Sequence, residues 1–177
     1  MVFTETRIKG AFLIEPEVLK DERGFFARTF CEREFAERGL VTRFVQCSVS
    51  FNARRATLRG MHYQCAPHEE VKVVRCTRGA VYDVVLDLRP GSPTRGRWAA
   101  AELSEENHRS FYVPPGCAHG FLTLQDETEL FYQISDFYHP ESARGVRWDD
   151  PAFGIEWPRV GPLVMSDRDR NYPDIRG

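Results

Sequence analysis

Two stretches decide how this chain reads: Leu58-Arg59-Gly60-Met61-His62-Tyr63-Gln64 and Pro114-Pro115-Gly116-Cys117-Ala118-His119-Gly120-Phe121. The second is a Pro- and Gly-bounded corner that launches an apolar run, the pattern of a strand starting at a tight turn. Between the two stretches, residues 71–76 and 80–88 are runs rich in β-branched side chains, separated by Thr77-Arg78-Gly79. That pattern predicts a β-hairpin. Runs at 97–103, 109–113, 120–124 and 129–138 follow, each bounded by Pro, Gly, Asn or Asp. Short strands at this spacing predict an all-β sandwich or barrel. One short helix is expected at 32–38, with Gly39 as its stop and Phe35 pointing inward. From Asp149 onward the chain reads as Pro-punctuated irregular structure wrapped over the body.

The composition fits that reading. A chain of 177 residues that is 42% hydrophobic and 28% charged has the make-up of a packed globule, and its length predicts a single domain over 1–177. The basic and acidic residues, 24 and 26, leave a net charge of −2, which argues against a nucleic-acid partner. Cys31, Cys47, Cys65, Cys76 and Cys117 form an odd set without metal-type spacing and are expected to be reduced packing thiols. Glu5, Arg7 and Lys9 interrupt the start of the chain, and residues 110–125, the longest stretch free of Asp, Glu, Lys and Arg, are broken by Pro114, Pro115, Gly116 and Gly120. No membrane partner is expected, and the location expected is cytoplasmic.

A Gly-x-His-x-Gln strand followed by a Pro-x-Gly-x-x-His turn resembles the layout of a cupin, a small jelly-roll barrel (a double-stranded β-helix). The fold expected is therefore an all-β cupin-type jelly roll with one or more short helices and an irregular C-terminal segment. In metal-binding cupins the first motif supplies His-x-His and a Glu, and the second supplies another His. Here Gln64 stands at the place of the second histidine, which leaves His62 and His119 one ligand short of a catalytic metal site. No metal and no other cofactor is expected, and His62 is left for proton chemistry.

The resemblance sharpens over six ordered motifs: Asp21-Glu22-Arg23-Gly24-Phe25-Phe26, the 58–64 stretch, Val71-Lys72-Val73-Val74-Arg75-Cys76, residues 83–89, the 114–121 turn, and residues 147–158 with Arg147-Trp148-Asp149-Asp150-Pro151. Together they resemble the dTDP-4-dehydrorhamnose 3,5-epimerase family over nearly the whole chain. Inverting a carbon beside a ketone needs a base on one face, an electrophile for the enolate oxygen, and an acid on the other face. His62 is the best base in the sequence. The resemblance implies that Asp169 pairs with it, that Lys72 holds the enolate oxygen, and that Tyr132 is the far-face proton donor. Lys72 also stands out without it, an ammonium between Val71 and Val73 in a strand, where something anionic is expected to face it.

For the nucleotide diphosphate the resemblance implies Arg23, Gln46, Arg59 and His119 as ligands, with Arg168 nearby. Strand parity puts Tyr132 and Tyr138 on one face of a regular strand, roughly 20 Å apart, a span that suits a sugar at Tyr132 and a base stacked near Tyr138. The same test separates Arg59 from His62, so a bulge near Gly60 is needed to bring both into one pocket. Three positions depart from the family's habit: Arg28 and Ala143 where it has glutamate, and Ser48 where it has asparagine. In the family these positions contact substrate.

The expected activity is inversion of carbon 3 and carbon 5 of a nucleotide-linked 4-keto-6-deoxyhexose, without a metal and in a homodimer. A 3-only epimerase, a 3,4-ketoisomerase acting on a dTDP-, CDP- or GDP-linked ketosugar, a non-enzymatic sugar-nucleotide-binding cupin, and a metal-dependent oxygenase are the rivals. Within the family an N-terminal strand crosses to the partner and helps close its site.

Overall fold

A computed structural model of the chain describes residues 1–175. Thirteen strands and two short helices follow in the order β1 (Val2–Glu5), β2 (Phe12–Glu15), β3 (Val18–Asp21), β4 (Gly24–Ala27), α1 (Glu32–Ala36), β5 (Gln46–Asn52), β6 (Leu58–Gln64), β7 (Lys72–Arg78), β8 (Ala80–Asp87), β9 (Trp98–Ser104), β10 (Ser110–Val113), β11 (Cys117–Thr123), β12 (Thr128–Ile134), β13 (Ala143–Gly145) and α2 (Asp167–Arg170). One sheet has the order β1-β2-β10-β7-β12-β5 and the other β13-β6-β11-β8-β9, while β3 and β4 pair only with each other. The two larger sheets face each other as the expected cupin-type jelly roll.

Alternation along the strands sorts side chains between the barrel and its outer faces. Val81, Asp83 and Val85 of β8 point inward, and Val81 and Val85 pack with Val74, Leu103, Phe111, Phe121 and Leu130 in the core between the sheets. Tyr82, Val84 and Leu86 point outward, where Phe153, Ile155 and Trp157 of the irregular C-terminal chain cover them. On the other outer face α1 sets the fully buried Phe35 against Val73, Tyr112 and Phe44. That ring alone contributes on the order of 2 kcal/mol. No helix among the described residues is long and apolar enough to cross a membrane.

The expected hairpin across Thr77-Arg78-Gly79 does not form. β7 pairs with β10 and β12, and β8 with β11 and β9, so the chain changes sheets at this corner. Gly79 makes the corner with φ +74°, and a Cβ there would meet Thr128 Oγ1 at 2.5 Å. The expected bulge near Gly60 does form. His62 pairs with His119 and Arg59 with Phe121, which leaves one more residue on β6 than on β11 between those pairs. Gly60 (φ +143°) lies so close to Gly120 that an added Cβ would meet its Cα at 2.6 Å. The two glycines thus allow the strands to close over the bulge.

Candidate active site

His62 projects from the inner face of β6 with its side chain 41% exposed. Asp169 lies 107 residues later, and the route between them is visible in the fold. Val164 N–H donates to Ala56 O, and Leu58 N–H donates to Val164 O, so the tail runs alongside the start of β6. Ser166 then caps α2, its Oγ accepting from Asp169 N–H at 3.1 Å. The turn of helix delivers Asp169 to His62, with Nε2 2.6 Å from Oδ1, while Oδ2 accepts from Gly60 N–H at 3.3 Å. Burial opposes the charge on Asp169, but the His62 hydrogen bond and charge, with Gly60 and Ser166, outweigh it and hold the carboxyl below its usual range. With Nε2–H donating to the carboxylate, Nδ1 is the nitrogen left to act as a base.

Two clefts meet at His62. The first is lined by Gln46, Gln64, Glu70, Lys72, Tyr138, Ala143 and Arg168, among others. The second is lined by Arg59, Val164, Ser166, Arg168 and Asp169 together with His62. The bulge therefore brings Arg59 and His62 to one wall, where Arg59 Nε donates to Asn52 Oδ1 at 2.8 Å. Lys72, at the start of β7 in the facing sheet, reaches across and donates to the His62 carbonyl at 3.3 Å.

The anion expected opposite Lys72 is Glu70, a residue outside the candidate set of the sequence. Its Oε1 is 2.9 Å from Lys72 Nζ, and its side chain is 5% exposed. Its Oε2 is buried without a hydrogen-bond partner among the described residues. The Glu-x-Lys spacing at the head of a strand was the available signal, because two residues apart on a strand share a face.

Tyr132 packs against the core and stands edge-on to His119, ring centroids 6.1 Å apart. Burial, and then the nearby Asp83 charge, push its phenol well above the usual range, and Arg59 offsets this only in part. The group stays a protonated donor. The parity argument for Tyr138 fails. β12 ends at Ile134, where Ser135 Oγ accepts from Val71 N–H and Asp136 Oδ1 from Phe137 N–H. These polar side chains turn the backbone out of the sheet. Tyr138 reaches the first cleft from this loop instead, its N–H donating to Gln46 Oε1 at 2.8 Å.

The structure does not bring every expected ligand to the clefts. His119 lies inside the barrel, 4% exposed, with Nε2 2.9 and 3.0 Å from the two Asp83 oxygens, and lines neither cleft. Ser48 is exposed on β5 opposite Tyr132. Arg23 sits on the β3–β4 ribbon, paired with Asp21, and Arg28 lines a separate hollow beside α1. All five cysteines are free, and burial pushes the Cys76 and Cys117 thiols up to about 12, which makes them inert at neutral pH.

With this geometry in place, comparisons with known proteins place the chain. A family model described as dTDP-4-dehydrorhamnose 3,5-epimerase matches residues 5–177. A protein of that name from Methanothermobacter thermautotrophicus is 47% identical over 176 residues, 98% of this chain and 94% of the relative. The crystal structure of the Bacillus anthracis enzyme of that name, with TDP and PPi bound, superposes with a TM-score of 0.93. The two are 38% identical, and the match covers 98% of this chain and 99% of that one. A 3'-monoepimerase from Streptomyces bikiniensis in complex with dTDP-quinovose gives a TM-score of 0.89 at 36% identity, covering 96% of this chain and 85% of that one.

Proposed function

The chain belongs to the dTDP-4-dehydrorhamnose 3,5-epimerase family, and from that premise we propose that it inverts carbon 3 and carbon 5 of a dTDP-linked 4-keto-6-deoxyhexose by proton transfer through an enolate. The observation that carries this reading is the 2.6 Å His62–Asp169 contact at the junction of two clefts, with the Lys72 ammonium beside it. Nδ1 of His62 takes the proton α to the ketone. Asp169 holds the Nε2–H tautomer and stabilises the imidazolium that forms. Lys72, itself steadied by Glu70, meets the charge that develops on the ketone oxygen. Tyr132 returns a proton from the far side of the sugar, since an enolate is a stronger base than a phenolate even when the phenol is buried. Each cycle removes one proton and adds one, so the chemistry is redox-neutral and calls for no cofactor.

For the rest of the substrate, Arg59 and Arg168 take the diphosphate, and Tyr138, Gln46 and the small Ala143 border the nucleoside. Arg23 and Arg28 lie away from their own cleft, and the ribbon that carries Arg23 exposes Leu19, Phe25 and Phe26 at 68%, 56% and 66%. Both observations support a homodimer in which this ribbon covers the partner, since exposed apolar patches mark interfaces. The chain works as one domain over 1–177, in the cytoplasm. Incubation with dTDP-4-keto-6-deoxyglucose in D2O, followed by proton NMR, tests the proposal. Deuterium at carbon 3 and carbon 5 with inversion at both is expected. Exchange at carbon 3 alone would make the chain a monoepimerase like the Streptomyces bikiniensis protein, and no exchange at all would refute the reading.

A further inference from the structure

Gln64, at the end of β6, is buried and fully engaged. Its amide nitrogen donates to the carbonyls of His68 (2.9 Å) and Phe137 (3.1 Å), and its oxygen accepts from His139 N–H (2.6 Å). The loop before β7 and the loop after β12 are thus held by one side chain. This sets His68, Asp136 and His139 together, and one ligand-capable atom from each lies within 4.8 Å of the other two. His68 Nδ1 is 3.6 Å from Asp136 Oδ2, and the two imidazoles face each other with centroids 3.4 Å apart. His139 Nδ1 is 3.1 Å from Glu141 Oε1. That carboxylate fixes the Nδ1–H tautomer and leaves Nε2 with its lone pair, as outer carboxylates do for metal-ligating histidines.

We propose that His68, Asp136 and His139 form a binding site for a divalent transition-metal ion of the zinc type, at the rim of the first cleft and apart from the proton-transfer groups. Two imidazoles and one carboxylate suit Zn²⁺, Ni²⁺ or Cu²⁺, whereas Mg²⁺ and Ca²⁺ prefer all-oxygen sets. Gln64 grips backbone atoms of His68, of His139 and of Phe137 beside Asp136, so the ordering cost of the site is met by the fold before any ion arrives. Face-to-face rings carry their lone pairs side by side, and convergence needs one ring to turn. His139 can do so without losing Glu141, whose side chain is 67% exposed and can follow the ring. Water completes the coordination. Asp136 and His139 flank Phe137 and Tyr138, so a bound ion ties this wall of the cleft to the loop before β7.

Equilibrium dialysis of the metal-stripped protein against ZnCl2, read by elemental analysis, tests the site without reference to turnover. About one Zn²⁺ per chain is expected. Binding should be lost in the His68→Ala/His139→Ala double variant and weakened roughly tenfold or more in Glu141→Gln. Cys47→Ser, which removes an exposed thiol, should bind as the wild type does. Gln64 contacts only backbone atoms of the two loops, so these variants keep the loops in place, and circular dichroism checks that they fold. Zinc should raise the melting temperature of the wild type and not of the double variant. Absence of bound zinc in the wild type, or zinc retained by the double variant, overturns the proposal.

Discussion

His62 and His119 sit opposite each other on β6 and β11, and each holds an aspartate through Nε2. The chemistry of the two pairs is the same and their surroundings are not. His119 and Asp83 come from neighbouring strands, and their side chains are 5% and 0% exposed. His62 is 41% exposed, and its aspartate arrives from the C-terminal tail. In the interior both groups are consumed by each other and by packing, which makes the pair a structural strut. At the mouth the tail supplies the aspartate and leaves the other imidazole nitrogen facing a cleft, so the same pair becomes a poised base. Access, not residue type, separates the two.

That contrast breaks most visibly at the interior pair. Asp83→Ala leaves a buried imidazole without its partner and should cost roughly 3 kcal/mol of stability, between the ranges for a buried hydrogen bond and a buried ion pair. A thermal or denaturant melt reads this. Asp169→Asn should act the other way round: turnover falls about 10²-fold or more through the wrong tautomer and a less stable imidazolium, while the melt moves much less. Tyr132→Phe comes next. Base and Lys72 remain, so deuterium should still enter carbon 3, but inversion should fall by about 10²-fold, the low end for a positioned acid. Phenylalanine keeps the packing. Exchange and inversion falling by one common factor would make Tyr132 a binding or packing residue.

The smallest expected effect sharpens the comparison through pH. Asp169 has its pKa lowered in the fold, so its contribution is present above the ordinary value of 3.8 and is lost as pH falls through the lowered one. Burial raises the pKa of Asp83, and His119 offsets this only in part. Its contribution is therefore largest in acid and declines as pH rises from 3.8 through the raised value. The stability of the wild type relative to Asp169→Asn should therefore rise with pH across the acid range, and its stability relative to Asp83→Asn should fall.

Much of this was legible in the sequence, for reasons that differ by residue. The strands announced themselves as β-branched runs between Pro, Gly, Asn and Asp, and the failure of Arg59 and His62 to share a parity correctly called for a bulge at Gly60. Gly79 misled, because two apolar runs around a glycine look the same whether they pair with each other or part. Here β12 and β11 decide, and both lie more than thirty residues downstream. Residues 129–138 look like one strand by their apolar content, although Ser135-Asp136 carries the polar signal for the break at Ile134. Asp169 came into view only through family resemblance, since a carboxylate in an irregular tail has no periodicity to mark it. His68, Asp136 and His139 are brought together by Gln64, and no spacing in the chain reports that.

The division of labour between the two pairs is tested most directly by solvent-deuterium uptake in His62→Ala with dTDP-4-keto-6-deoxyglucose, followed by proton NMR at carbon 3 and carbon 5. Among the described residues His62 is the only imidazole lining either cleft, so the folded variant should show no exchange at either carbon. Exchange at the wild-type rate would contradict the account and return the search for the base to the rest of the cleft.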